Sequence, residues 1–120
     1  MNIVKQYLTV SNYNRPGTKR GSTTAVACHY IGNPGTSAQA NRNYFENLRT
    51  THTTKASAHY IIGLQGEIIQ MIPEEEISWC TNSANAYTIS IEACHPDSTG
   101  RFTAATYAAY VELRADICKR

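Results

Sequence analysis

Apolar and polar positions alternate or cluster along the chain in ways that predict four strands. Residues 24–31, TAVACHYI, are rich in β-branched and aromatic side chains and end at the turn-forming run GNPG, which predicts a buried strand. Two apolar runs, AHYIIG and EIIQMI, flank a glycine-containing turn and predict a hairpin. In residues 88–94, TISIEAC, the isoleucines fall on one strand face, while Glu92 lies on the other with Ser90 and Cys94.

Two segments have helical spacing and a capping residue at their start. Thr36 or Ser37 is placed to cap a helix that continues to about Arg49, and Thr103 is placed to cap a second helix that runs to Arg120. The apolar stripe predicted for the first helix consists of Ala40, Tyr44 and Leu48.

The order of elements is therefore strand, helix, hairpin, strand, helix. This order predicts a single α/β domain with a mixed central β-sheet flanked by helices. Residues 1–22 contain the turn sequence NRPG and are interpreted as an irregular N-terminal lead-in, so the ordered domain is expected to span 23–120. The acidic triplet at 74–76 is interpreted as a solvated loop.

Composition narrows the class of protein. The 120 residues carry a net charge of +2, and the basic residues are scattered, so a nucleic-acid partner is not predicted. No apolar run approaches the roughly 18 residues of a membrane span, and no charged leader opens the chain; we expect a protein made in the cytoplasm without a signal peptide. The four cysteines form no CxxC pair and are expected to be free thiols.

Two side chains stand out as candidates for chemistry. His29 lies near the end of a predicted strand, beside a loop, where an imidazole could bind zinc or could be a hydrogen-bonded core residue. Glu92 interrupts an apolar strand, and a buried carboxylate needs a partner or a role. It could take a proton from a zinc-bound water, or it could lie on the solvent face of an edge strand.

Other residues leave alternatives open. The neighbours Cys28 and His29 point to opposite faces of a strand and cannot form a thiol-protease dyad, although Cys94 could pair with His29. His59 begins a strand and could line the same cleft. Trp79, the single tryptophan, could be a core residue or a wall against which a sugar or peptide stacks.

Three ordered segments resemble a known family. ACHYIGNPGTSAQANRNYF, SAHYIIGLQGEIIQMIPE and ISIEACHPDSTGRF are similar to the type 2 N-acetylmuramoyl-L-alanine amidases, which are related to T7-type phage lysozyme and peptidoglycan recognition proteins. The similarity covers most of residues 14–120 and is greatest to Gram-positive autolysins and phage endolysins.

The resemblance implies a Zn²⁺ ion held by two histidines and a cysteine or aspartate. His29 matches the first ligand, and Glu92 matches the catalytic base. The segment that supplies the other ligands in the family has no counterpart here, so further ligands are expected beyond Arg120 and the domain is expected to be C-terminally truncated. Within the chain, His95 is the fallback ligand, and His59 or Cys94 are the other candidates to substitute. Many relatives carry a histidine where this chain has Cys80.

The implied function is that of a zinc-dependent endolysin or autolysin that acts on the cell wall. It would cleave the amide bond between N-acetylmuramic acid and L-alanine, with bacterial peptidoglycan as partner. Substrate contacts are expected from Asn33, Trp79 and His59. The alternative is a non-catalytic peptidoglycan-binding module, or an inactive fragment that lacks a complete zinc site.

Overall fold

The computed structural model describes residues 1–120, and its elements follow the predicted order with one additional strand. The strands are β1 (Ile3–Lys5), β2 (Ala25–Tyr30), β3 (Tyr60–Ile62), β4 (Ile68–Gln70) and β5 (Thr88–Ala93). The helices are α1 (Ala38–Thr51) and α2 (Ala104–Lys119), with a short 3-10 helix at Asn82–Ala86.

The five strands form one mixed sheet in the order β1-β4-β3-β5-β2. Strands β3 and β4 are antiparallel and make the predicted hairpin, whereas the pairs β1·β4, β3·β5 and β2·β5 are parallel. The mixed α/β sheet is thus confirmed. Because β3, β4 and β5 are interior strands, their side chains are enclosed on both faces, which explains their nearly continuous apolar sequences.

One helix covers each face of the sheet. On the α1 face, Phe45 and Leu48 pack with Ile61 and Cys94 in one apolar cluster. On the α2 face, a second cluster combines side chains of three strands and the helix: Tyr60, Ile62, Ile68, Ile89, Ile91, Ala93, Tyr110, Leu113 and Ile117. The side chains that alternate along residues 88–94 therefore point to two buried faces of the sheet, with Ile89, Ile91 and Ala93 towards α2 and Cys94 towards α1.

Both helices begin at the predicted caps. The Ser37 hydroxyl accepts a hydrogen bond from the Ala40 amide, and the Thr103 hydroxyl accepts one from the Thr106 amide, each at 3.0 Å. Of the stripe predicted for α1, Leu48 is buried as expected, but Ala40 and Tyr44 are exposed, Tyr44 to 48%. The buried side chains of α1 are Ala38, Asn41, Phe45 and Leu48.

The turn between β3 and β4 requires a glycine. Gly66 has φ of +82°, and a Cβ added to it would lie 2.8 Å from the Ala105 carbonyl oxygen at the start of α2. The Thr103 and Thr106 hydroxyls donate to the carbonyls of Leu64 and Gly63, both at 2.7 Å. These contacts fix α2 against the hairpin.

The interpretation of residues 1–22 as an irregular lead-in is wrong. Strand β1 adds to the sheet edge, and Leu8 is 1% exposed in the α1-face core. Asn14 is fully buried and donates from Nδ2 to the Phe45 carbonyl at 2.7 Å. The turn itself lies at residues 12–13, one step before NRPG, and Arg15 of NRPG forms an isolated bridge with Val10. Residues typical of turns are here packed inside the domain.

The acidic triplet also differs from the prediction. Glu76 is buried and receives both Nε and a terminal nitrogen of Arg15 at 2.8 Å, and Glu74 pairs with Arg120. Only Glu75 is exposed, as the solvated-loop interpretation requires. The four cysteines are free thiols, as predicted, and neither helix has the length and apolarity needed to cross a bilayer.

Candidate metal and catalytic site

Parallel pairing of β2 and β5 brings the two principal candidate residues together. His29 is the register partner of Glu92, so the two side chains project from the same face of neighbouring strands, near their carboxyl ends. Strand β5 is interior, and Glu92 is only partly accessible. The edge-strand explanation for Glu92 is therefore excluded.

A third side chain, Cys80, approaches from the loop before the 3-10 helix. Its Sγ donates to Oε1 of Glu92 at 3.7 Å. The side-chain carbonyl of Asn85 accepts hydrogen bonds from the backbone amides of Cys80 at 3.2 Å and Thr81 at 2.7 Å, which fixes the loop. The position of the Cys80 thiol is thus fixed, because its backbone is hydrogen-bonded to Asn85.

His29, Cys80 and Glu92 form a compact donor cluster. One ring nitrogen, Sγ and a carboxylate oxygen all lie within 4.8 Å of one another. Nε2 of His29 is buried and has no hydrogen-bond partner in the protein. Buried polar nitrogens are nearly always paired, so this atom requires a ligand or water. Nitrogen, sulfur and carboxylate donors are those that zinc prefers, and the residues therefore fit a zinc ion.

Burial shifts the pKa of two members of this cluster, Cys80 and Glu92. It raises the pKa of the Cys80 thiol to about 12, and the nearby Glu92 carboxylate reinforces the shift. Burial likewise raises the pKa of Glu92, while the imidazole of His29 and the Cys80 thiol partly offset the effect. A raised pKa makes the carboxylate a stronger base, which suits it to accept a proton.

A cavity of about 310 Å³ opens beside the cluster. Cys80 and Glu92 lie in its wall, as do the predicted substrate contacts Asn33 and Trp79. The remaining wall comes from the loop after β2, from α1 and from residues 56–57: Ile31, Gly32, Asn41, Tyr44, Phe45, Ala56 and Ser57. A half-enclosed groove with an apolar wall and a few polar groups is a typical ligand site.

Trp79 is held rigidly at the rim of this cavity. Its indole Nε1 donates to the Asn12 carbonyl at 2.7 Å, and its backbone amide donates to the Ser57 hydroxyl at 2.9 Å. The Lys55 ammonium lies 5.7 Å from the ring centroid. The residue is half-buried, so one part of the ring is fixed and another remains available for stacking.

His59 does not reach the cavity, and its predicted substrate contact is corrected. The residue is 0% exposed. Nδ1 accepts from the Ser90 amide at 3.0 Å, so Nε2 carries the proton and donates to the Glu76 carbonyl at 2.7 Å. Burial lowers the pKa of His59 to about 4, which keeps the ring neutral.

His95 is also removed from the ligand set. Its Nε2 lies 2.7 Å from the Ile31 carbonyl oxygen, and its Nδ1 lies 2.9 Å from the Asp97 carbonyl oxygen. Neither nitrogen is available for a metal, so the fallback assignment is wrong. The ring instead joins the loops that follow β2 and β5.

Comparison with known proteins assigns the chain to a family. The family model described as N-acetylmuramoyl-L-alanine amidase matches residues 19–120. The chain belongs to the N-acetylmuramoyl-L-alanine amidase family. The assignment agrees with the resemblance read from the three sequence segments.

Relatives of this amidase-family chain include N-acetylmuramoyl-L-alanine amidase CwlL of Bacillus licheniformis, 33% identical over 98% of this chain and 36% of the relative. Among solved structures, the catalytic domain of XlyA is 28% identical with a TM-score of 0.76, covering 94% of this chain and 72% of that one. A mutant endolysin from Bacillus subtilis is 27% identical with a TM-score of 0.73, covering 97% and 77%. The chain thus spans about a third of the length of the curated relatives it matches.

Sequence reasoning missed Cys80 as a member of the site. Its departure from the histidine found in many relatives was noted, but its proximity to His29 and Glu92 was not predicted. The sequence offers a partial signal, since cysteine and histidine both serve as zinc ligands and Cys80 follows Trp79, a candidate wall of the cleft. The loop geometry that joins residues 80 and 92 has no sequence signature.

Proposed function

We propose that this chain is the catalytic domain of a peptidoglycan amidase. It would hydrolyse the amide bond between the lactyl group of N-acetylmuramic acid and L-alanine of the stem peptide. The observation that carries the proposal is the pairing of His29 and Glu92 across β2 and β5, beside a cavity. Membership of the amidase family supports the reaction class, and the substrate is proposed by analogy with the named relatives.

His29 is proposed to hold the zinc ion that this family employs, and its unpartnered buried nitrogen supports that role. A zinc ion bound there would polarise the amide carbonyl and lower the pKa of water. Glu92 would accept a proton from the attacking water and deliver it to the alanine nitrogen as the C–N bond breaks. The products are a free lactyl carboxylate and a free alanine amine.

Substrate would lie in the groove between the loop after β2 and Trp79. The Asn33 side chain and the indole face are proposed to contact the sugar and the stem peptide, because aromatic rings pack against the apolar faces of both. The place of action would be the cell wall, as the endolysin relatives suggest.

The test uses purified bacterial cell walls. The intact chain should reduce their turbidity and release new amino groups without new reducing sugar ends, which distinguishes amidase from glycosidase cleavage. A chelator should stop the reaction, and zinc should restore it. Replacement of His29 by alanine should abolish zinc uptake in metal analysis, whereas His52→Asn, at an exposed histidine in the left-handed region, should not change it. Zinc retained by His29→Ala would remove His29 from the site.

A binding module without catalysis is the second candidate function. It is favoured by the coverage of the curated relatives, of whose length this chain spans 36%. In that case walls would bind the chain in a pull-down assay, while turbidity and amino groups stay constant whether or not zinc is added.

A further inference from the structure

We propose that Cys80 is a metal ligand in this protein, acting with His29 to form a thiolate–imidazole centre. The inference rests on the proposed function, because it concerns the same metal. It goes beyond that function by assigning to the loop at residues 79–80 a coordinating role.

The first argument is the spacing of donor atoms. In a tetrahedral zinc site with Zn–S near 2.3 Å and Zn–N near 2.1 Å, sulfur and nitrogen donors lie about 3.6 Å apart. The Cys80 Sγ and a His29 ring nitrogen lie within 4.8 Å of each other, and Glu92 Oε1 lies 3.7 Å from the same Sγ. One ion can therefore contact Cys80 and His29 while Glu92 stays beside the open coordination position.

The second argument is that the cysteine is positioned before any metal arrives. Asn85 accepts hydrogen bonds from the Cys80 and Thr81 amides. The Ser57 amide donates to the Trp79 carbonyl, and the Trp79 amide donates to the Ser57 hydroxyl. Rigid support of this kind lowers the entropic cost of forming a metal site.

The third argument is a contrast among the four cysteines. Cys28 and Cys118 are exposed, and Cys94 is buried in the apolar cluster beneath α1. Only Cys80 belongs to a group of three or more potential metal donors. A cysteine that only fills space in a core has apolar neighbours, as Cys94 does, whereas Cys80 has an imidazole and a carboxylate beside it.

Binding has a defined proton balance. A divalent ion replaces the hydrogen on Sγ, so the S–H bond breaks as the metal–sulfur bond forms. The Glu92 carboxylate, which already accepts that hydrogen, takes the proton and releases it to water. A thiolate ligand also predicts preference for zinc, cobalt and cadmium over magnesium and calcium.

Cobalt(II) provides the test, because thiolate coordination to this ion produces an intense sulfur-to-metal charge-transfer absorption. The full chain titrated with Co²⁺ should develop this band. Cys80→Ser should lose it and bind the ion at least about tenfold more weakly. Cys80→His should bind the ion without the band, because imidazole replaces the thiolate. The double variant Cys28→Ser/Cys118→Ser should retain the band and serves as the control for adventitious thiol binding.

Each result decides between the two proposals. A band that persists in Cys80→Ser overturns the inference, as does cobalt bound without the band in the unaltered chain; in the second case metal binding at His29 still stands. If no cobalt binds at all, the inference fails, and wall clearing with amino-group release judges the proposed amidase function separately. Circular dichroism checks that each variant is folded. Cobalt binding by Cys80→His without the band would show that the band is lost because the thiolate is absent and not because the protein is unfolded.

Discussion

His29 and His59 lie on the same face of the sheet, each beside β5, yet their surroundings differ completely. The His59 ring is closed between Ser90 and the Glu76 carbonyl, and both its nitrogens are bonded. His29, at the register position of Glu92, has a buried nitrogen with no protein partner. The Ser78 hydroxyl lies 2.7 Å from the Ser90 hydroxyl. We call His59, Ser90 and Ser78 the central polar cluster, and His29, Cys80 and Glu92 the cavity cluster.

The difference follows from what the adjacent loops offer. Near His59 the chain turns at Pro73 and Glu76, and a backbone carbonyl is directed at the ring. Near His29 the neighbouring loop contributes a thiol and the strand contributes a carboxylate. A hydrogen bond to a backbone carbonyl occupies a ring nitrogen of His59, whereas the ring nitrogen of His29 has no such bond and can bind an ion together with a thiol or carboxylate. Function on this face therefore depends on which loop is near, and not on the strand residue alone.

The largest effect should come from replacing Glu92 in the cavity cluster by glutamine. The amide cannot accept the proton of water, and we expect wall hydrolysis to fall by about 10²–10⁴-fold. Metal content, measured by elemental analysis, should stay unchanged, since His29 is intact. Glu67→Gln, in the hairpin turn, is the matched control and should hydrolyse walls normally. Full activity of Glu92→Gln would show that the carboxylate takes no part in proton transfer.

The same comparison shows what the sequence could and could not predict. The strands at residues 24–31 and 88–94, the hairpin and both helix caps follow from local patterns. These patterns made His29 and Glu92 candidates, and the family resemblance supplied the roles predicted for them. Strand β1 was missed because its three residues are too short for a pattern and gain their order from pairing with β4. The assignments of His59 and Cys80 depend on loop positions fixed by long-range hydrogen bonds, which no local spacing encodes.

The second prediction concerns the stability of the two clusters. His59→Ala removes a fully buried ring and leaves the Ser90 amide without its side-chain acceptor, so the free energy of unfolding should fall by about 3–4 kcal/mol. His29→Ala, in the cavity cluster, should change it by less than about 1 kcal/mol in metal-free protein, because no hydrogen bond is lost. Urea denaturation with chelator present measures both. Equal losses for the two variants would contradict the distinction between a structural and a ligand-ready histidine.

The smallest expected effect is the pH dependence of the free energy of unfolding that arises from His59 in the central polar cluster. The pKa of His59 falls from the usual 6.5 to about 4, chiefly because of burial and despite the Glu76 carbonyl and the charges of Glu74 and Glu76, which favour the protonated ring. Between these values the unfolded chain binds a proton that the folded chain does not, so stability must rise with pH.

The neutral ring thus contributes fully above about pH 6.5, and up to about 3 kcal/mol is lost as the pH falls towards 4. Because the carboxylates titrate in the same range, the informative quantity is the difference between the unaltered chain and His59→Gln in urea midpoints measured from pH 7.5 to 4. We expect the unaltered chain to lose more stability on acidification than the variant. Parallel curves would mean that the His59 ring is protonated, or solvated, in the folded protein.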